Sequence, residues 1–171
     1  MSSQHPDDVL IRELIATRRA ATAGEVATIV ARMASAPFDG RFVAVLPEHQ
    51  HLVYADYRLG WRVDSIRYHL ARRIAIDGQW AKRTTTEQYL NDLRAAMLAA
   101  AARLTIYFRR GGFIAATLTA TTLVIPQERL GVDFLPELLV VYSVDRGTLV
   151  TGYQCSSLAT TAIPEEALWL K

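Results

Sequence analysis

Two groups of polar side chains, one on a predicted helix and one on a predicted strand, have the chemistry needed to act on a phosphate group. His69, Arg72 and Arg73 fall within about one turn of a predicted helix, and His69 and Arg73 stand at positions i and i+4 on the same face. Thr151 and Tyr153 are two residues apart in an apolar strand, where the period of two places both hydroxyls on one face of the sheet. We therefore expect one site if the fold brings this helix and strand together.

Metal-independent cleavage of RNA is a reaction that these side chains could catalyse. It requires a base for the 2′-hydroxyl proton, an acid for the leaving oxygen, and cations that stabilise the charge on phosphorus. His69 could exchange protons near neutral pH, and the neighbouring arginines favour its neutral form and hence the role of base. Arg72 or Arg73 could bind phosphate oxygens through paired N–H groups. Thr151 and Tyr153 could donate hydrogen bonds to the same oxygens.

Each of these residues also has a purely structural interpretation. His69 could pack beside the core as an ordinary helix residue, and Thr151 and Tyr153 belong to types that are common in strands. His49 and His51 could contribute two imidazoles to a metal site, but no third ligand is evident and surface polarity explains them equally well. The sequence thus predicts no metal and no cofactor.

The distribution of charge favours an anion-binding surface in the middle of the chain. The formal net charge is only +2, yet residues 58–110 carry eleven basic and four acidic side chains. Of the 19 basic residues in the whole chain, 17 are arginine, whose planar group suits phosphate. A solvated set of helix charges would produce the same pattern, so the alternative stays open at this stage.

Several common classes of site and of cellular location are disfavoured by missing motifs. The chain has no phosphate-binding loop of the Walker type, no dinucleotide fingerprint, no His-Glu-x-x-His helix and no Gly-x-Ser-x-Gly elbow. Its single cysteine, Cys155, excludes an internal disulfide. No apolar run reaches the length of a membrane span, and the first residues do not resemble a signal peptide, so we expect a cytoplasmic protein.

The hydrophobic pattern predicts an α+β fold in two parts. Apolar residues at helical spacing predict helices over residues 7–19 and 23–34, which would form an N-terminal helical hairpin within residues 1–36. Pro37, Asp39 and Gly40 interrupt this pattern, so residues 37–171 are expected to form a separate α+β domain. A short strand is predicted over residues 41–46, and another over residues 51–55.

The remaining elements are predicted to be helices packed on an antiparallel β-sheet. Asp64 is the expected N-cap of a helix that ends at Asp77 and Gly78, and Thr84 with Glu87 is the expected capping box of the next helix. Strands are predicted over residues 104–108, 113–125, 138–143 and 148–154. Tight turns join the first two of these strands at residues 109–112 and the last two at residues 145–147.

The order of these motifs resembles the broad superfamily of barnase, EndoU, colicin and RelE-type toxin ribonucleases. The resemblance covers residues 64–154 and rests on the order of the motifs. These are His-x-x-Arg-Arg at 69–73, a tryptophan, Thr-Thr-x-Glu-x-Tyr-Leu at 84–90, an alanine-rich helix, a strand, the Arg-Gly-Gly turn, Leu-Val-Val-Tyr-Ser at 139–143 and Val-Thr-Gly-Tyr at 150–153. It implies a helix pair against an antiparallel sheet and RNA cleavage without a metal. The N-terminal hairpin is not part of the family pattern, and no second histidine stands where a partner acid would be.

The leading hypothesis is a metal-independent ribonuclease-like domain, associated with a toxin system or a phage. The resemblance implies RNA as the substrate, with tRNA as a candidate, and an antitoxin or immunity protein as a candidate partner. A second hypothesis is a non-catalytic adaptor that binds nucleic acid or protein through the same surface. A third is a small-molecule-binding domain, which would require a deep apolar pocket away from the arginines.

Overall fold

The computed structural model describes residues 4–53, 58, 60–156 and 163–171, and it shows an α+β fold. Three pairs of elements precede the main sheet: α1 and α2, β1 and β2, and α3 and α4. Their bounds are α1 Pro6–Thr17, α2 Ala23–Ser35, β1 Phe42–Ala44, β2 Arg62–Asp64, α3 Ser65–Ala75 and α4 Thr86–Leu98. The later elements are β3 Arg103–Arg109, β4 Gly112–Ala120, α5 Thr121–Val124, β5 Glu137–Ser143, β6 Thr148–Cys155 and β7 Leu168–Trp169.

The main sheet has five antiparallel strands in the order β6-β5-β4-β3-β7. Helices α1, α2 and α4 cover one face, because alternate residues of the strands are apolar and face those helices. Leu104, Ile106, Leu138 and Val140 contribute to this core and are fully buried. Strands β1 and β2 form a separate two-stranded sheet next to α3. Within the described part of the chain, no helix is both long and apolar enough to cross a bilayer.

The N-terminal helices are packed into the same core as the sheet. Ile11 and Leu14 of α1 and Ile29 and Met33 of α2 are fully buried among residues of α4 and the strands. A capping box between Thr22 and Glu25 starts α2. The division of the chain into domains at residues 36 and 37 remains a prediction, since packing within one core does not show whether either part folds alone.

A buried polar cluster joins the N-terminal helices to β5. The Asp8 carboxylate, whose side chain is 5% exposed, accepts a hydrogen bond from the Tyr142 hydroxyl at 2.7 Å and pairs with Arg32 at 3.1 Å. Burial, followed by the bond to Asp8, raises the pKa of Tyr142 well above its ordinary value. The neutral phenol is therefore the form that donates to Asp8 at physiological pH.

The predicted helix starts were nearly right, with one shift of register. The capping box of α4 is formed by Thr85 and Gln88, not by Thr84 and Glu87. Three consecutive threonines followed by Glu and Gln offer two overlapping boxes, and the chain uses the second because the Thr84 N–H donates to the Ala81 carbonyl. At α3, Asp64 stands at the N-cap position, but its side chain makes no capping hydrogen bond.

The predicted strands differ from the observed ones mainly in length. Strand β4 ends at Ala120, and the β-branched residues that follow form the single helical turn α5, in which the Thr121 N–H donates to the Pro136 carbonyl. Strand β1 spans only residues 42–44. Residues 51–53 of the second predicted early strand lie in a turn, and residues 54–55 lie outside the described residues.

Strand β6 is one edge of the sheet, and groups outside the sheet satisfy its outward-facing backbone. Leu149 exchanges hydrogen bonds with the backbone of Pro37 and Asp39. The Tyr89 hydroxyl donates to the Gly152 carbonyl oxygen at 2.6 Å and accepts from the Gly152 N–H at 3.2 Å. Gln154 exchanges two hydrogen bonds with the Gln79 side-chain amide, at 2.8 and 3.1 Å. An unprotected edge strand would be a template for pairing with another chain, and these contacts prevent that pairing.

We expect Gly152→Ala to destabilise the fold. A Cβ atom at this position would lie 2.3 Å from Leu93 Cδ2, so the fully buried Leu93 side chain, or α4 with it, would have to shift. Overpacking of this kind typically costs about 1–3 kcal/mol, which urea unfolding would detect as a loss of unfolding free energy. Gly40→Ala is the matched control, since a Cβ there has no heavy atom within 4 Å. Equal stability of the two variants would contradict the packing described here.

Candidate functional site

The structure brings His69 and Arg73 of α3 against Thr151 of β6. The Thr151 hydroxyl oxygen lies 3.3 Å from His69 Nδ1 and accepts a hydrogen bond from Arg73 Nη2 at 3.3 Å. Because that oxygen accepts from the guanidinium, its own proton is available to the imidazole, and we assign the neutral His69 with its proton on Nε2. The i and i+4 spacing on α3 thus places both side chains on the face that meets the edge strand.

Arg73 is the centre of this cluster and is committed to protein groups. Its Nη1 atom pairs with Asp77 at 2.8 Å, its Nε atom donates to the Gly152 carbonyl at 3.4 Å, and its guanidinium carbon lies 5.1 Å from the centre of the Tyr153 ring. The side chain is only 12% exposed. Arg73 therefore holds β6 in position.

Arg72 belongs to a different cluster. The sequence predicts that it lies with His69 and Arg73, but the structure places it beside Tyr68. Its guanidinium lies over the Tyr68 ring at 5.5 Å, and the Tyr68 hydroxyl is 2.6 Å from His49 Nδ1. The buried Arg72 Nε atom has no hydrogen-bond partner among the described residues. Of the five residues predicted for the site, His69 and Arg73 both contact Thr151, and Arg73 also lies over the Tyr153 ring. The fifth residue, Arg72, packs over Tyr68.

A β-bulge sets the direction of the two hydroxyl residues on β6. The pairing register shifts between Val141 and Tyr142, and Val150 is the extra residue opposite this step. Before the bulge, Leu149 faces the helices and the core; after it, Thr151 and Tyr153 face the opposite side of the sheet. The alternation of residues predicted that these two side chains share a face, but not that a bulge selects which face.

The face of the sheet opposite the helices carries a groove of about 790 Å³. It lies at the end of the sheet where the β3–β4 and β5–β6 turns are found. Tyr107, Ile114, Val141 and Tyr153 contribute to its lining, together with Thr151 near the edge strand. The lining also includes four arginines, two from the β3–β4 turn region and two near β6: Arg109, Arg110, Arg41 and Arg146.

These four arginines are not among the residues predicted for the site from the sequence. Arg109 ends β3, Arg110 stands in the β3–β4 turn, and Arg146 stands in the β5–β6 turn, so the signal available was basic residues at two turns at one end of an antiparallel sheet. Nothing local marks Arg41, which reaches the groove only because residues 37–39 run along β6.

Burial and surrounding charge keep His69 neutral. Burial is the largest cause and, with the positive charges of Arg73, Arg72 and Arg41, lowers the pKa of His69 to about 4. The Asp39 carboxylate acts in the opposite direction but is outweighed. Burial also raises the pKa of Tyr153. At neutral pH the site therefore holds an unprotonated imidazole beside a protonated phenol.

Tyr89 supports the site from the core side of β6. Its fully buried hydroxyl bonds both backbone groups of Gly152, the residue between Thr151 and Tyr153. Burial raises the pKa of Tyr89 to about 12, so the hydroxyl keeps the proton that it donates to the carbonyl. The positions of both groove hydroxyls thus depend on a side chain that does not itself reach the groove.

We expect Tyr89→Phe to loosen the strand at the site. The substitution leaves the Gly152 N–H and its carbonyl without their Tyr89 partner, and leaving a buried polar group unsatisfied costs about 1–3 kcal/mol. Hydrogen exchange should show faster exchange of the Gly152 amide, with smaller changes on β3. Tyr107→Phe is the control, because its hydroxyl faces the groove and not the edge of the sheet. Unchanged exchange at Gly152 would contradict this account.

The depressed pKa of His69 predicts a dependence of stability on pH. Between pH 6.5, the ordinary value, and about 4, the unfolded chain binds a proton that the folded protein does not. The contribution of His69 to the unfolding free energy is therefore fully present above pH 6.5 and decreases as the pH falls toward 4. Urea unfolding across this range should show a steeper loss for the wild type than for His69→Gln. Parallel curves would show that His69 titrates normally.

We searched for relatives of this chain among protein-family models, curated proteins and solved structures, and none of the three comparisons gave a significant match.

Proposed function

We propose that this protein cleaves RNA without a metal ion, in the groove on the face of the sheet opposite the helices. The proposal rests on two features that meet at one place. Four arginines line the groove, and the hydroxyl of Thr151, which also lines it, contacts the neutral imidazole of His69. The first feature suits binding of a phosphodiester chain, and the second suits removal of a proton from it.

The shape of the groove supports binding of single-stranded RNA. Arg109 and Arg110 lie at one side and Arg41 and Arg146 at the other, so phosphates along a bound strand would meet positive charge at both sides. The part-exposed ring of Tyr153 offers aromatic surface on which an unpaired base could stack. This arrangement also favours RNA over a small apolar ligand, because the polar rim is charged and the groove is open.

The proposed reaction is transfer of the phosphoryl group to the neighbouring 2′-oxygen. The 2′-oxygen attacks phosphorus and the bond to the 5′-oxygen breaks, which leaves a 2′,3′-cyclic phosphate and a new 5′-hydroxyl. The 2′-hydroxyl proton passes to His69 through the Thr151 hydroxyl, which lies between the groove and Nδ1. The 5′-oxygen takes a proton from Tyr153, which is kept protonated by its raised pKa. The groove arginines stabilise the added negative charge.

The electrostatics of His69 imply a slow enzyme with an unusual pH profile. An imidazole with a pKa of about 4 is unprotonated at neutral pH but is a weak base, and a weak base contributes less to the rate. In this proposal Arg73 acts by holding Thr151 and Tyr153 in place, and Arg72 has no direct role. We keep the cytoplasm as the proposed location, and an antitoxin or immunity protein covering the groove as the proposed partner of such a toxin.

Binding without cleavage is the second candidate function. It is favoured by the commitment of Arg73 to Asp77, Gly152 and Thr151, and by the position of His69 behind Thr151 rather than in the groove lining. An adaptor would need only the arginines and the aromatic surface. It would show salt-dependent association with RNA and no turnover.

The test is incubation of the purified protein with tRNA and total RNA in EDTA. We expect cyclic phosphate ends from the wild type, a loss of about 100-fold or more in rate for His69→Ala, as expected when a general base is removed, and a comparable loss for Thr151→Val. His51→Ala is the control, because His51 is an exposed histidine outside the site. The wild-type rate should decrease only below about pH 5, since the pKa of His69 is about 4.

Three outcomes separate the candidates. Cyclic ends that disappear in His69→Ala but persist in His51→Ala support cleavage at this site. Intact RNA that nevertheless binds the protein supports the adaptor function. Equal cleavage by the wild type and His69→Ala would reject the catalytic assignment of His69.

A further inference from the structure

A buried carboxylate lies beneath two of the groove arginines. Asp39, whose side chain is 6% exposed, pairs through its Oδ2 atom with Arg41 Nε at 2.7 Å and with Arg146 Nη1 at 3.0 Å. Its Oδ1 atom accepts the Arg41 backbone N–H at 3.1 Å. Both arginine side chains are about half exposed, at 52% and 48%. One acidic group therefore joins two basic side chains that come from distant parts of the chain.

Asp39 is itself held firmly to the edge of the sheet. Its backbone N–H donates to the Leu149 carbonyl at 2.7 Å, and the preceding residue, Phe38, forms a parallel bridge with Leu149. The carboxylate thus has a fixed position next to the β5–β6 turn that carries Arg146. An arginine held by a buried carboxylate loses less conformational freedom when it binds a ligand than an arginine on a free surface.

We infer that Asp39 is a positioning residue that arranges Arg41 and Arg146 as a two-arginine clamp for one phosphate group of the bound nucleic acid. The Asp39 carboxylate bonds Nε of Arg41 and Nη1 of Arg146. The other N–H groups of both guanidinium groups can then donate to a phosphate in the groove that both side chains line. Arg41, Arg146 and Asp39 together carry a net charge of +1, so the group still attracts an anion. The inference rests on the proposed function in that it concerns the same groove, but it does not require cleavage.

A second carboxylate in the groove provides a matched control. Asp145 also lines the groove, but it accepts from the Phe113 N–H and pairs with Arg12, which is not among the lining residues. If only net charge mattered, replacing either aspartate by asparagine would make the groove more positive and tighten phosphate binding. If Asp39 positions the clamp, its replacement weakens binding although the charge becomes more favourable. The two explanations thus predict opposite signs.

The experiment measures the affinity of the full chain for a 2′-O-methyl oligouridylate, which lacks the attacking hydroxyl and cannot be cleaved. We expect Asp39→Asn to weaken binding about fivefold to tenfold, the effect of misplacing charge-assisted hydrogen bonds. Asp145→Asn should bind as tightly as the wild type or more tightly. In a protein that already carries Arg146→Gln, Asp39→Asn should weaken binding by less than a further factor of about two, because the two residues act as one unit.

Substitutions of the two clamp arginines test the same hypothesis if Asp39→Asn does not fold. Arg41→Gln and Arg146→Gln change half-exposed side chains, and each should weaken binding about fivefold or more by losing charged contacts to phosphate. Arg83→Gln removes an exposed arginine outside the groove and should have little effect.

Oligonucleotides with a 5′-phosphate or a 5′-hydroxyl distinguish whether the bound phosphate is terminal or internal. A preference for the 5′-phosphate that disappears in Arg146→Gln identifies a terminal phosphate, and equal binding identifies an internal one.

Failure of the clamp and failure of the proposed function are distinguishable. The clamp hypothesis would be rejected if Asp39→Asn bound the oligonucleotide as tightly as Asp145→Asn. It would also be rejected if Arg41→Gln and Arg146→Gln bound like Arg83→Gln. Either result would reject it even if the wild type cleaves RNA. A wild type that binds with the expected variant pattern but never cleaves RNA would reject catalysis and leave the clamp. A wild type that does not bind the oligonucleotide would overturn both.

Discussion

The candidate site depends on how the edge strand β6 is closed. Side chains from α4 and from the segment after α3, with the backbone of residues 37–39, take the place of a neighbouring strand along its outward side. The Tyr89 hydroxyl is the central contact, because it satisfies both backbone groups of the residue between Thr151 and Tyr153. The same contacts bring α3, and with it His69 and Arg73, to the strand. Protection of the edge and assembly of the site are therefore one structural feature.

Arginines have two distinct roles around this edge. Arg73 is nearly buried and holds protein groups together, as does Arg32 beside Asp8 in the core. Arg41 and Arg146 are half exposed, and their shared buried partner, Asp39, leaves them facing the groove. The difference lies in burial and partner geometry, since every guanidinium group carries the same charge. A count of basic residues along the sequence does not separate the two roles.

Much of the fold follows from local patterns, whereas the site follows only in part. Helical periodicity predicts α1 and α2 to within two residues at each end, and the turn residues at 145–147 predict the last hairpin. The capping box of α4 is shifted by one residue because two boxes overlap in Thr84–Gln88. The structure brings His69, Arg73, Thr151 and Tyr153 together where α3 meets β6, and the periods of helix and strand predict the pairing of side chains within each element. The bulge at Val150, the position of Arg41 and the separate packing of Arg72 against Tyr68 result from long-range packing, which has no local signal.

Photochemical cross-linking tests the central claim most directly, namely that RNA binds in the groove beside β6, on the face of the sheet opposite the helices. A 4-thiouridine oligonucleotide can be cross-linked to the full chain under ultraviolet light, and mass spectrometry then identifies the attached residues. We predict attachment at Tyr153, the part-exposed aromatic residue of the groove lining, and its loss at increased salt as the arginines are screened. Attachment confined to α1 and α2, on the opposite side of the sheet, would contradict the account.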